Sequence, residues 1–168
     1  MLDAIRNAGL DTIAVGKISD IFAGKGISES ILTHGNSEGM EIAARLAERN
    51  FRGLCFVNLV DYDMLYGHRQ DVDGYANALT EFDSWLPSFV GKLGDGDMLM
   101  ITADHGCDPA DKSTDHTREY IPLIIYGKGI SPVNLGTARC FAHIAATVTD
   151  ALGVDFKCEG RSFMPDII

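Results

Sequence analysis

The chain predicts an α/β fold with a largely parallel sheet flanked by helices, and three observations carry that expectation. Apolar runs of strand length recur at residues 12–15, 54–60, 98–103 and 121–126. Between and around them lie segments whose apolar residues fall at helical spacing. The two kinds alternate along 168 residues, the size of one ordinary domain. Alternation of this kind is the pattern of strands joined by crossover helices.

Taken in order, residues 2–8 read as a short helix with Gly9 as its stop. Residues 12–15 read as a strand, and residues 16–26 as a loop with three glycines and two lysines. Residues 36–49 place Met40, Ala43, Ala44 and Leu46 on one helical stripe, with Asn36 or Ser37 as the cap. The run LCFVNLV at residues 54–60 suits a strand covered on both faces. A long helix over residues 72–93 would carry Tyr75, Leu79, Phe82, Leu86 and Phe89 on one side, with Pro87 kinking or dividing it. The turn Gly94-Asp95-Gly96 leads into the strand at 98–103, and Pro122 stands near the start of the strand at 121–126. Residues 140–152 form a last helix, ended by Gly153. No repeat, low-complexity tract or linker interrupts the chain, so residues 1–168 read as a single domain.

The formal net charge of -10 argues against a nucleic-acid backbone or an anionic membrane surface as the main partner. Cys55, Cys107, Cys140 and Cys158 form no CxxC pair, so neither a zinc ribbon nor a redox dithiol is indicated, and structural thiols are expected. The opening MLDAIRNAGLDTIAVGK is too short and too charged for a signal peptide. No apolar run approaches the roughly 20 residues of a membrane span. A soluble, reducing, cytoplasmic setting is the expectation.

Three of the five histidines fall in motifs that follow strong strand runs. Residues 58–71 read NLVDYDMLYGHRQD, with Asp63 and His68. Residues 101–106 read ITADHG, with Asp104 and His105, and residues 114–119 read TDHTRE, with His116. In open α/β sheets ligands collect beyond the carboxyl ends of strands, so both motifs are expected at one crevice. Carboxylates mixed with imidazoles suit manganese, zinc or iron better than calcium or magnesium. Adjacent Asp104 and His105 point in different directions from an extended backbone and suit a bridged pair of ions. Ions roughly 3.5–4 Å apart are a recurrent device for phosphoryl transfer. Gly67 and Gly106 would permit sharp turns beside these residues.

The runs VDYDMLYGHRQDVDGYANALTEFD, ITADHGCDP and STDHTREYIPLIIYG closely resemble the phosphopentomutases, of the alkaline phosphatase superfamily. VGKISDIFAGKGI and GNSEGM are similar to the same family, and the resemblance runs over essentially the whole chain. Cofactor-independent phosphoglycerate mutases share only a shorter core, such as A-D-H-G. The resemblance implies an alkaline-phosphatase-like core lacking its N-terminal strands and cap domain. It implies two divalent metal ions, manganese first: Asp63, His68 and His116 match the ligands of one, and Asp104 with His105 match two ligands of the other. Lys17 is similar to a family lysine near the active site, with a phosphate contact and a solvated loop lysine both open. Arg69 and Arg118 are open between phosphate contact and surface ion pairing, while Asp61 and Asp115 read as hydrogen-bonding support. His34 reads as a loop imidazole and His143 as a helix-packed one. The implied substrate is a phosphorylated pentose, with interconversion of (deoxy)ribose 1-phosphate and ribose 5-phosphate.

The departure from the family is large. Phosphopentomutases carry a further metal-binding Asp, a phosphorylated Thr nucleophile and a sugar-holding cap domain, all before the sequence that this chain matches. No catalytic nucleophile is therefore expected here, and nothing marks Ser113, Thr114 or Thr117 as a replacement. Three explanations are open: a fragment of a mutase, half of a split enzyme whose companion chain supplies the N-terminal half, or a non-catalytic metal- or phosphate-binding remnant. The first two would leave an uncovered sheet edge or face. A metal-dependent phosphohydrolase, using water in place of Thr, is the nearer enzyme alternative.

Overall fold

The structure, a computed structural model, describes residues 1–168. In chain order the elements are α1 (Leu2–Asn7), β1 (Asp11–Val15), α2 (Ile18–Ile21), β2 (Glu29–Ile31), α3 (Asn36–Ala47) and β3 (Gly53–Val57), then a π-helical turn (Tyr62–Gly67). After it come α4 (Val72–Val90), β4 (Met98–Thr102), β5 (Leu123–Gly127), α5 (Ala142–Ala151) and α6 (Met164–Ile167). The chain forms two compact units. The first comprises Met1–Leu32, Asn50–Val57 and Gly129–Ile168, and the second Thr33–Arg49 and Asn58–Lys128.

The first unit holds a parallel sheet in the order β2-β1-β3. Central β1 is the best-buried strand, with Ile13, Ala14 and Val15 at 1% exposure or less. Strand β3 is half-buried along its whole length instead of covered on both faces, because it lies at the sheet edge and pairs only with β1. The short β2 was not legible as a strand. It is held by an exchange between Thr12 and Ser28: the Thr12 N–H donates to Ser28 Oγ at 2.8 Å, and Ser28 Oγ donates to the Thr12 carbonyl at 2.9 Å. Ile5, Val148, Phe163 and Ile167 add to the buried apolar set of this unit.

In the second unit α3 buries Met40, Ile42, Ala43 and Leu46, spaced as an amphipathic helix requires. Helix α4 runs unbroken through Pro87, so the proline does not divide it. Pro87 falls in the last turn, where the one missing N–H leaves only the exposed Asp83 carbonyl without a helical partner. Of the expected face of α4, Tyr75, Phe82 and Leu86 are half-buried and Phe89 is buried, with Trp85 stacked on Phe89 at 4.6 Å; Leu79 is 50% exposed, and Ala78 beside it is buried instead. Strands β4 and β5 pair antiparallel, from Met98↔Gly127 to Thr102↔Leu123. The stretch between them contains no helix to carry the chain across, so β5 returns alongside β4 in the opposite direction. That helix-free return carries Asp104, His105 and His116.

Candidate metal centre

All five acidic and histidine residues singled out from the motifs lie in the second unit. Asp63 and His68 come from the π-helical turn, with the His68 N–H bonding back to the Asp63 carbonyl at 3.0 Å. In an α-helix, residues five apart diverge by about 140°. The wider π-turn brings them onto one side, and the His68 Nε2 atom lies 3.2 Å from Asp63 Oδ2. Turns of this type cluster at functional sites, and no pattern in DMLYG announces one.

Asp104 and His105 follow the carboxyl end of β4. His116 is placed by a single antiparallel bridge between Gly106 and Thr117, in which the Thr117 N–H donates to the Gly106 carbonyl at 3.1 Å. That bridge folds the chain back so that the His116 and His105 rings stack with centroids 3.6 Å apart. His116 Nε2 then lies 3.4 Å from Asp63 Oδ1, and His105 Nε2 lies 4.0 Å from the same oxygen. The ligand atoms of Asp63, His68 and His116 all fall within 4.8 Å of one another. Asp104 stands beside this set, with Oδ1 3.6 Å from His105 Nε2 and a side chain 75% exposed.

The tautomers follow from the acceptors. His68 Nδ1 lies 2.5 Å from the Thr114 carbonyl, and His105 Nδ1 lies 3.0 Å from the Gly106 carbonyl. A carbonyl oxygen can only accept, so each Nδ1 carries a proton, and in the neutral imidazole each Nε2 presents its lone pair towards Asp63. Two lone pairs and a carboxylate facing one another repel unless a cation lies among them. Asp63 Oδ1 is also buried with no hydrogen-bond partner. A buried carboxylate oxygen left unpaired costs free energy that a bound cation would repay. The donor set, carboxylate oxygen plus imidazole nitrogen, therefore fits a divalent transition metal. Backbone acceptors on the far ring nitrogens are the usual device for orienting such ligands.

Gly67 and Gly106 do not adopt left-handed backbone angles. They are required by close approach instead. A Cβ on Gly67 would lie 2.5 Å from Cys107 Sγ, and one on Gly106 would lie 2.6 Å from the Glu119 nitrogen. Cys107 thus packs under the π-turn as a structural thiol, with burial first and the neighbouring Asp63 charge second raising its pKa. Asp61 bonds away from the centre: its Oδ2 accepts the Asn36 N–H at 2.7 Å, and its own N–H donates to Asn36 Oδ1 at 3.0 Å. The carboxylate of Asp61 so caps α3 and fixes the chain entering the π-turn, a partnership that sequence spacing does not reveal.

The remaining candidates take other places. Lys17 is exposed at the amino end of α2, in the first unit. Arg69 donates through Nε to the Met64 carbonyl at 3.3 Å, and the Asp115 N–H donates to Ser113 Oγ at 3.0 Å. His34 pairs with Glu38 on the surface at 2.9 Å. His143 accepts the Arg161 N–H at 3.2 Å and stacks on Phe163. No helix is long and apolar enough to cross a membrane.

Residues 3–156 match the family model described as the Metalloenzyme superfamily. The chain is 52% identical over 167 residues to a phosphopentomutase of Lachnoclostridium phytofermentans, covering 99% of this chain and 43% of that protein. It is 51% identical over 169 residues to the phosphopentomutase of Acetivibrio thermocellus, covering 100% of this chain and 44% of the relative. The phosphopentomutase of Symbiobacterium thermophilum is 52% identical over 168 residues, 99% of this chain and 43% of its own length. The chain therefore spans less than half the length of the curated relatives that it matches, and aligns with them almost from end to end of its own.

Proposed function

The chain belongs to the Metalloenzyme superfamily, and on that premise we propose that it is the metal-holding part of a phosphopentomutase-type site that interconverts (deoxy)ribose 1-phosphate and ribose 5-phosphate. Asp63, His68 and His116 would hold one divalent ion, and Asp104 with His105 would contribute to a second; manganese is the first candidate for both. Bound there, such ions supply positive charge against phosphoryl oxygens and orient the acceptor. The chain's own residues do the arranging. Asp63 presents a carboxylate that no N–H or O–H of the protein claims on Oδ1. The Thr114 and Gly106 carbonyls hold His68 and His105 in the tautomer that faces Nε2 inward.

The observation that carries this reading is the convergence of Asp63, His68 and His116, with a buried, partnerless carboxylate oxygen among them. The nucleophilic Thr, a further metal-binding Asp and the sugar-binding region would come from outside these 168 residues, on the same chain or on a companion chain. The reading places the protein in a cytoplasmic compartment, where phosphorylated pentoses occur.

The test is to titrate the purified chain with Mn²⁺ and to assay it for pentose phosphate interconversion and for hydrolysis of an aryl phosphate. Saturable Mn²⁺ binding that depends on Asp63 and His116, without turnover from this chain alone, is the expected result. Slow hydrolysis would instead favour a phosphohydrolase. Interconversion by the chain alone would overturn the account of the nucleophile, and no Mn²⁺ uptake would overturn the metal centre.

A further inference from the structure

Gln70 stands two residues beyond His68 in a backbone conformation that a glutamine rarely adopts, with φ of 56°. The reason lies in how the π-turn ends. The Asp71 N–H donates to the Tyr66 carbonyl at 2.9 Å, and the Gln70 N–H donates to the Gly67 carbonyl at 3.0 Å. This pair of bonds is the Schellman closure, in which the left-handed position is ordinarily glycine because a Cβ there is strained. A side chain kept at such a position at the expense of backbone strain points to a use for that side chain.

Its amide group shows the use. Gln70 Nε2 donates to the Asp111 carbonyl at 2.8 Å and to the Ser113 carbonyl at 3.3 Å. These carbonyls lie on the stretch 107–116, which is exposed from Ala110 onward, contains no helix or strand and ends in His116. The stretch is fixed at its base by the Gly106–Thr117 bridge and by the Asp108 N–H donating to Thr117 Oγ1 at 2.8 Å. Away from the base, its bonds to the π-turn segment come from Gln70 and from His68 Nδ1 at Thr114. The same segment that supplies Asp63 and His68 thereby fastens the loop that supplies His116.

We propose that Gln70 is the positioning residue for His116: its amide holds the loop at Asp111 and Ser113, and so keeps the imidazole stacked on His105 and against Asp63. This assignment rests on the metal-centre reading above for its functional consequence, though not for its geometry. A ligand whose support is lost spends part of its time out of reach, and losing such supporting bonds typically weakens metal affinity by about 10–100-fold.

Gln70→Gly is the informative variant, because it removes the amide while relieving the left-handed backbone. In the full chain, Mn²⁺ affinity should fall about tenfold or more, while the melting temperature without metal stays level or rises. In the metal-free protein, the His116 ring protons should lose the upfield NMR shift that stacking on His105 imposes. Gln70→Arg, which keeps side-chain N–H donors, should restore part of both signals. Unchanged Mn²⁺ affinity or an unchanged His116 shift in Gln70→Gly would mean that the base bridge alone places His116, and would overturn the assignment. Parallel losses of affinity and of metal-free stability would make Gln70 a general strut of the fold, which also overturns it. If the wild-type chain takes up no Mn²⁺, the metal reading fails by itself, and the His116 shift alone decides the role of Gln70.

Discussion

Replacing Asp63 by asparagine separates the two jobs that a buried carboxylate can do. The substitution is nearly isosteric and removes the charge. Asp63 Oδ1 has no hydrogen-bond partner to lose, and the His68 Nε2 atom 3.2 Å from Oδ2 presents a lone pair that an asparagine amide can donate to. The metal-free variant should therefore melt at or above the wild-type temperature, since a carboxylate oxygen buried without a hydrogen bond is costly. The loss should appear only with metal. At Mn²⁺ about a hundredfold above its dissociation constant, binding to the native state alone stabilises by about 2.7 kcal/mol. For a protein of this size each kcal/mol moves the midpoint by roughly 2–4 °C, so the wild-type rise should be about 5–10 °C. Melting curves in chelator and in Mn²⁺ for both proteins read this directly. The reasoning is refuted if Asp63→Asn keeps the metal-dependent rise, or if it melts far below wild type in chelator, which would make Asp63 a structural residue.

Gly67→Ala should cost about 1–3 kcal/mol in chemical denaturation, since its methyl would lie 2.5 Å from Cys107 Sγ. Cys107→Ala should recover part of that cost, and a strictly additive double mutant would contradict the contact. Asp61→Ala should cost about 1–2 kcal/mol by removing the acceptor for the Asn36 N–H, and Asp61→Asn should cost less because it keeps an oxygen there; equal costs would argue against the cap. Burial pushes the Cys55 thiol up to about 11. An unfolded thiol ionises near pH 8.5, so above that the folded state binds more protons and stability falls as pH rises. The decline should span roughly pH 8.5 to 11, amount to about 3 kcal/mol, and disappear in Cys55→Ala. A pH-independent stability in that window would count against a buried neutral thiol.

The parts of the fold that were legible in the sequence are those decided by local pattern. Ile13, Ala14 and Val15 form an apolar run long enough to declare β1, and the stripe through Met40, Ala43 and Leu46 declares α3. Strand β2 was hidden because Glu29, Ser30 and Ile31 carry no alternation; it is a three-residue ladder against β1, flanked by the hydrogen bonds between Thr12 and Ser28. The antiparallel return of β5 was hidden because direction is set by the connection, not by the strand itself. At the centre, the acidic and imidazole side chains were visible as residue types in motifs. Their convergence on the Asp63 carboxylate was not, because it needs the π-turn to align positions five apart and the Gly106–Thr117 bridge to stack two rings. Gln70 offers no sequence signal at all, since its role depends on a backbone angle and on carbonyls more than 40 residues away.

The most direct measurement is anomalous scattering at the manganese edge from crystals of the chain grown with Mn²⁺. A single strong peak within bonding distance of Asp63, His68 Nε2 and His116 Nε2 is the predicted result, with any second, weaker peak beside Asp104 and His105. Crystals with Mn²⁺ in the medium but no peak among Asp63, His68 and His116 would contradict the central claim that these residues form a metal centre.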